Sequence, residues 1–207
     1  EGTVDALLRS LDGQCITCTV TGPLVTQQVS TYFAIVDYGR TAVLEMAKAN
    51  GIHLLESSQR NPMLTSTYGT GEMIKQALDR GIEKIIIGLG GSVTNDGGAG
   101  MAQALGVQFF NSTGEAIQVC GGNLDQINQI DISQLDARLK NTEILIASDV
   151  NNPLCGPNGA SAIFGPQKGA TPEMVQQLDR NLSHFADLVE ASLGISIKNV
   201  AGAGAAG

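Results

Sequence analysis

The chain has 207 residues, enough for one large domain or two small ones, and 43% hydrophobic against 15% charged residues can supply an ordinary core. A formal charge of −8 argues against the basic surface that nonspecific nucleic-acid binding needs, whereas a phosphorylated small molecule asks only for local positive charge. No apolar run reaches transmembrane length, and the opening Glu1-Gly2-Thr3-Val4-Asp5 does not read as a signal peptide.

Residues 4–11 predict a short helix stopped by Gly13. The run 15–37 is rich in β formers and predicts two or three antiparallel strands, punctuated by Gly22-Pro23. Cys15 and Cys18 lie three apart in that run, so strand geometry sends them to opposite faces. With no second such pair and no adjacent histidine there is no zinc set, and the cysteines are expected as buried, reduced thiols of a cytoplasmic protein.

Residues 41–50 predict a helix with Ala42, Val43, Met46 and Ala47 on one face and Gly51 after its end. A loop follows at 59–62. A second helix opens at 67–72, carries Met73, Ile74, Ala77 and Leu78, and closes at Gly81. The apolar run 84–88 predicts a buried strand, followed by the glycine-rich stretch 88–100 and a short helix at 101–105.

A strand is expected at 107–110, a turn at 111–114, irregular chain over 120–141 with a short helix near 132–139, and a second buried strand at 143–147. Polar loops follow at 148–153 and 165–170. The last helix has the clearest local signals. Thr171 caps it, Pro172 and Glu173 suit its first turn, apolar residues recur at helical spacing from Met174 to Leu188, and Gly194 ends it. Alternating β and α segments after a hairpin-rich start predict an α/β fold with a mixed sheet flanked by helices.

The stretch 88–100 reads Gly-Leu-Gly-Gly-Ser-Val-Thr-Asn-Asp-Gly-Gly-Ala-Gly. Glycines let backbone N–H groups approach an anion closely, and a following helix N-terminus adds partial positive charge. Ser92, Thr94, Asn95 and Asp96 put hydroxyl, amide and carboxylate groups at the same place, just past a strand end, where α/β proteins bind ligands.

Asp96 either caps the helix or holds Mg²⁺ or a substrate hydroxyl. Asp149, just past the strand at 143–147, either makes an Asx turn ahead of Asn151-Asn152-Pro153 or serves as metal ligand or general base. Two carboxylates at two strand ends could face one cleft. Lys168, beside Gly169, is either a solvated surface charge or a group that stabilises a transferring phosphoryl. Arg60 is a weaker candidate of the same kind, and neither His53 nor His184 has a paired acid in the pattern. The chain has no Gly-x-Ser-x-Gly elbow and no Walker-type Gly-x-x-x-x-Gly-Lys-Ser/Thr. Residue chemistry alone therefore leads to a small-anion or phosphoryl site made from several strand-end loops.

Gly90-Gly91-Ser92-Val93-Thr94-Asn95-Asp96-Gly97-Gly98-Ala99-Gly100 strongly resembles the signature of bacterial-type glycerate kinases. Glu1-Gly2-Thr3 is similar to the tail of that family's Asp-Gly-Gly-Glu-Gly-Thr element. Arg60-Asn61-Pro62-Met63 and Thr67-Tyr68-Gly69-Thr70-Gly71-Glu72 resemble two more elements. Ser148-Asp149-Val150-Asn151-Asn152-Pro153-Leu154-Cys155-Gly156 and Phe164-Gly165-Pro166-Gln167-Lys168-Gly169-Ala170 resemble another two, and Gly202-Ala203-Gly204-Ala205-Ala206-Gly207 the opening of a last glycine-rich loop. The likeness runs in order through essentially the whole chain.

The resemblance implies transfer of the ATP γ-phosphoryl to a hydroxyl of D-glycerate, with Mg²⁺; the cysteines, charge and hydropathy separately set the expectation of a cytoplasmic protein without nucleic-acid or membrane partners. It also implies two domains, one Rossmann-like and built from both ends of a longer chain, the other an inserted α/β domain. On that reading residues 1–12 are a remnant of the Rossmann-like domain or its linker, 13–200 the inserted domain, and 201–207 the start of the return. Both ends are expected to have been cut from a longer protein, and the family's Asp-Ser-Phe-Lys-Gly-Ser element is missing.

The implied catalytic residues are Asp149, Lys168 and Asp96, with Asp149 or Asp96 as metal ligand. Gly90, Gly91, Ser92, Thr94, Asn95, Gly97, Gly98, Asn151, Arg60 and Thr70 are the expected substrate- or phosphate-binding residues. The alternatives are a non-catalytic small-anion-binding domain and a regulator that binds sugar phosphates.

Overall fold

The computed structural model describes residues 2–10 and 13–207. Helix α1 (Thr3–Ser10) precedes a hairpin of β1 (Gln14–Thr21) and β2 (Gln28–Val36). The expected first helix thus forms, with its last expected residue, Leu11, outside the described residues. Strand β3 (Thr41–Glu45) and a four-residue helix α2 (Ala47–Asn50) follow, then α3 (Tyr68–Leu78), β4 (Lys84–Gly88) and α4 (Ala99–Ala104). A small hairpin of β5 (Gln108–Phe110) and β6 (Gln129–Asp131) precedes β7 (Glu143–Ala147), α5 (Ala160–Phe164) and the long α6 (Pro172–Leu193).

The main sheet has the order β1-β2-β3-β4-β7. Pairing is antiparallel from β1 to β3 and parallel from β3 through β4 to β7. This is the mixed sheet expected from the sequence, with helices on its two faces. Alternation along the strands decides what each face buries. Phe33, Ile35, Ala42, Leu44, Ile85 and Ile87 pack with Met73, Ile74, Ala77 and Leu78 of α3. The intervening Ala34, Val36 and Val43 pack with Val4 of α1. A separate core under α6 joins Leu182 and Phe185 to Phe109, Leu124 and Ile127.

Three expectations about these elements fail. The helix expected over 41–50 is a strand as far as Glu45, and all five strand residues are buried. The short apolar run Ala42-Val43-Leu44 fits a buried strand as well as one face of a helix, so its periodicity could not discriminate. Strand β7 forms where expected but is not buried: it is the sheet edge, and Ile144, Leu145 and Ile146 are 40%, 40% and 54% exposed. Finally, β6 occupies part of the run expected to be irregular, held by pairing with β5. The cysteines are free, but of the four expected as buried only Cys18 is; Cys120 and Cys155 are half-buried and Cys15 is exposed on an edge strand.

Candidate functional site

The three parallel strands end side by side. Glu45 closes β3 and pairs with Gly88, which closes β4 and pairs with Ala147, which closes β7. Above this edge lies a cavity of about 540 Å³. The end of β3 contributes Glu45, the chain after β4 contributes 88–92, and the chain after β7 contributes 147–150. Phe164, Gln167 and Lys168 close one side, and Ala205 reaches in from the C-terminal segment.

The glycine-rich loop divides into three parts. Gly90, Gly91 and Ser92 line the cavity. Gly91 has φ +78, a left-handed conformation that glycine adopts without strain, and a Cβ at Gly90 would meet nothing within 4 Å. The loop is pinned by neighbouring backbone: Ile52 donates to the Gly91 carbonyl at 2.9 Å and Val93 donates to that of Asn50 at 3.0 Å. Thr94, Asn95 and Asp96 are fully buried behind this rim. Gly97 and Gly98 border a second, mainly apolar cavity of about 170 Å³, which Thr70 also lines.

Lys168 overturns the reading of a solvated surface charge. It is 1% exposed, and its Nζ donates to the carbonyl of Thr94 at 2.5 Å and that of Ala206 at 2.6 Å. Burial pushes its ammonium down to about 7, against the attraction of Asp96, so the lysine is poised near neutrality beside an open cavity. Asp149 is exposed and lines the same cavity.

Asp96 is not brought there. Its carboxylate is buried and accepts from the Thr67 backbone and hydroxyl at 2.8 and 2.9 Å, and from the N–H groups of Gly98 and Gly100 at 3.2 Å each. The anion at the start of α4 is thus the protein's own carboxylate. Burial raises its proton affinity, while these donors, Thr67 foremost, act the other way.

The remaining expected binding residues scatter. Ser92 Oγ donates to the Ala206 carbonyl at 3.3 Å, and Asn95 Nδ2 to Ser161 Oγ of α5 at 3.0 Å. Thr70 donates its hydroxyl to Asn50 Oδ1 at 2.6 Å. Asn151 is exposed on the loop after β7 and Arg60 is half-buried, its Nε donating to the Leu55 carbonyl at 3.4 Å; neither lines the large cavity. The sequence reading missed Glu45, because a helix over 41–50 hides a carboxylate that ends a central strand. Its signal was the apolar run Ala42-Val43-Leu44 ending in one acidic residue.

The family model described as the glycerate kinase family matches residues 1–207. The chain belongs to the glycerate kinase family. It is 56% identical over 207 residues to a glycerate kinase from Haemophilus influenzae and 53% identical to one from Bacillus subtilis. It is 51% identical to a glycerate 2-kinase from Escherichia coli. Each match covers 100% of this chain and 54% of the relative, so the chain spans about half the length of the curated relatives it matches. A crystal structure from Salmonella typhimurium LT2, provisionally named glycerate kinase 2, superposes with TM-score 0.97 and 48% identity. That match covers 100% of this chain and 55% of the other.

Proposed function

We propose that the protein containing this chain transfers the γ-phosphoryl group of ATP to a hydroxyl of D-glycerate, and that the cavity at the ends of β3, β4 and β7 is where this chain contributes to the reaction. The observation that carries the reading is the meeting of Lys168, Asp149 and the glycine rim 90–92 around one cavity in a chain of the glycerate kinase family. The E. coli relative's name, glycerate 2-kinase, favours the 2-hydroxyl as acceptor.

Phosphoryl transfer asks the protein mainly for positioning and charge neutralisation. The rim at Gly90 and Gly91 lets backbone come close to phosphate or carboxylate oxygens. Ser92, on the same rim, would turn its hydroxyl from the Ala206 carbonyl to donate to a bound anion. Lys168 would exchange a carbonyl partner for a phosphate oxygen, and the anion would hold it protonated.

The cavity's oxygen donors fit Mg²⁺, which is commonly held by one or two carboxylates together with substrate phosphates. Asp149 is the carboxylate with room for a hydrated ion, being exposed. When bound, Mg²⁺ would offset charge on the phosphates. Asp96 is assigned a positioning role, since its oxygens already accept from four protein donors. Thr94, Asn95, Gly97, Gly98 and Thr70 hold the loop's shape from behind.

We keep 13–200 as the inserted domain of a two-domain enzyme. Helix α1 packs on the sheet through Val4 and Ala205 lines the cavity, so residues from either flank touch this domain. The free thiols favour a reducing, cytoplasmic setting. No helix among the described residues is long and apolar enough to cross a membrane.

The test is ³¹P NMR of D-glycerate and MgATP with the full-length protein. A phosphoglycerate signal with matching ADP is expected, and its shift identifies the acceptor hydroxyl. Intact ATP with folded protein overturns the assignment.

A further inference from the structure

Two acidic side chains line the large cavity among the described residues, and they differ in setting. Asp149 sits exposed on a loop. Glu45 is 4% exposed and stands at the end of a central strand. Its position is fixed on both sides: β3 pairs with β2 and β4, and the N–H of Met46, the next residue, donates to the Gly88 carbonyl at 2.9 Å. A Cβ added at Gly88 would lie 3.8 Å from Glu45 Cγ, so the glycine that closes β4 leaves the space beside this side chain open. Lys48 of α2 feels the Glu45 charge from one side, and Lys168 lines the same cavity.

A carboxylate with these properties suits one task in phosphoryl transfer that an exposed loop carboxylate does poorly. The acceptor hydroxyl must be held and deprotonated where water is excluded, because water competes as phosphoryl acceptor. A side chain on a rigid strand end holds a bound hydroxyl more accurately than one on a loop. Asp149 is left for the solvated, cation-bearing side of the cavity.

We propose that Glu45 accepts the proton of the acceptor hydroxyl, a role that rests on the phosphotransferase reading above. The hydroxyl oxygen forms a bond to the γ-phosphorus, and the bond between that phosphorus and the β,γ-bridging oxygen breaks. ADP leaves with the electron pair. The hydroxyl proton passes to the Glu45 carboxylate and then to water. The role explains why an acidic residue follows the apolar Ala42-Val43-Leu44 in a buried strand, at the end that opens on the cavity.

The experiment compares wild type, Glu45→Gln, Glu45→Asp and Asp149→Asn in the full-length protein, measuring kcat, KM for MgATP and thermal midpoint. Glu45→Gln is expected to lower kcat about 100-fold or more while KM for MgATP stays within about twofold and the midpoint is kept. Glu45→Asp, which retains the carboxylate one methylene further back, is expected to recover part of kcat.

Glu45→Gln with near wild-type kcat overturns the role, as does a loss that tracks only the thermal midpoint. If Glu45→Gln does not fold, Glu45→Asp decides: a kcat at least about tenfold lower at unchanged KM for MgATP supports the role, and wild-type kcat overturns it. A wild-type protein that leaves ATP and glycerate unchanged overturns the glycerate reading and this role with it. An active wild type with an active Glu45→Gln overturns this role alone.

Discussion

The carboxylate of Asp96 accepts hydrogen bonds from both the backbone N–H and the hydroxyl of Thr67, at 2.8 and 2.9 Å. Thr67 Oγ1 in turn accepts from the N–H of Met101, in the first turn of α4, at 2.8 Å. Two helices far apart in sequence therefore start from one buried cluster, and the glycine-rich loop between β4 and α4 is held by it. Asp96→Ala should strand these donors in the interior and lower stability by about 3 kcal/mol. Urea unfolding would measure it, and a change of only a few tenths would mean that water or relaxation satisfies the donors.

Lys168→Met tests the buried cation without opening a void. The thioether fills most of the space but cannot neutralise phosphate charge. Turnover of the full-length protein should fall about 100-fold or more with the fold retained. Unchanged turnover would remove Lys168 from the site.

The same lysine makes stability depend on pH. Its folded value of about 7 lies below the unfolded value of about 10.4. Between these limits the unfolded chain holds more protons, so stability rises as pH climbs from about 7 towards about 10. Below about 7 the charged form is buried and the penalty is fullest. The stability of wild type relative to Lys168→Met should therefore increase between about pH 6 and about pH 9. A difference that stays flat in denaturant titrations would show that the lysine does not titrate in this window.

Anion binding should pull that equilibrium back. A phosphate beside Lys168 favours the ammonium, so nucleotide binding just above pH 7 should take up a proton. Calorimetry in two buffers of different ionisation enthalpy reads this directly. Proton uptake in wild type that persists unchanged in Lys168→Met would assign it to another group.

Asp149 is exposed, so its replacement should separate function from stability. Asp149→Asn should leave the thermal midpoint within a few degrees, since surface changes seldom exceed about 0.5 kcal/mol, and should weaken binding of Mn²⁺ used as a probe for Mg²⁺. Unaltered Mn²⁺ affinity, read by electron paramagnetic resonance, would move the cation elsewhere.

Much of the fold was legible because its signals are local. The caps of α6, Thr171 and Gly194, act on adjacent backbone, and Thr171 Oγ1 accepts from Met174 N–H at 3.3 Å as the spacing implies. The hairpin of β1 and β2 follows from β formers around a turn. Strand β3 was not legible, since its apolar residues satisfy two periods at once. That single ambiguity concealed Glu45, whose relation to the site exists only if residues 41–45 are extended and parallel to β4.

The sequence by itself determined the α/β class and which loops carry polar and glycine residues, because these depend on residue type and short-range order, and its ordered motifs resembled those of the family. It could not decide which of those residues share a cavity. Asp96 and Asp149 look alike in the chain, each following an apolar strand. Only packing separates them, burying one among helix-start donors and leaving the other exposed at the sheet edge. Lys168 looks like a surface lysine until the loop after β4 and the C-terminal segment hold it between the carbonyls of Thr94 and Ala206. Burial and proximity arise from contacts between residues distant in sequence, and it is these that set the charge state and reach of each candidate group.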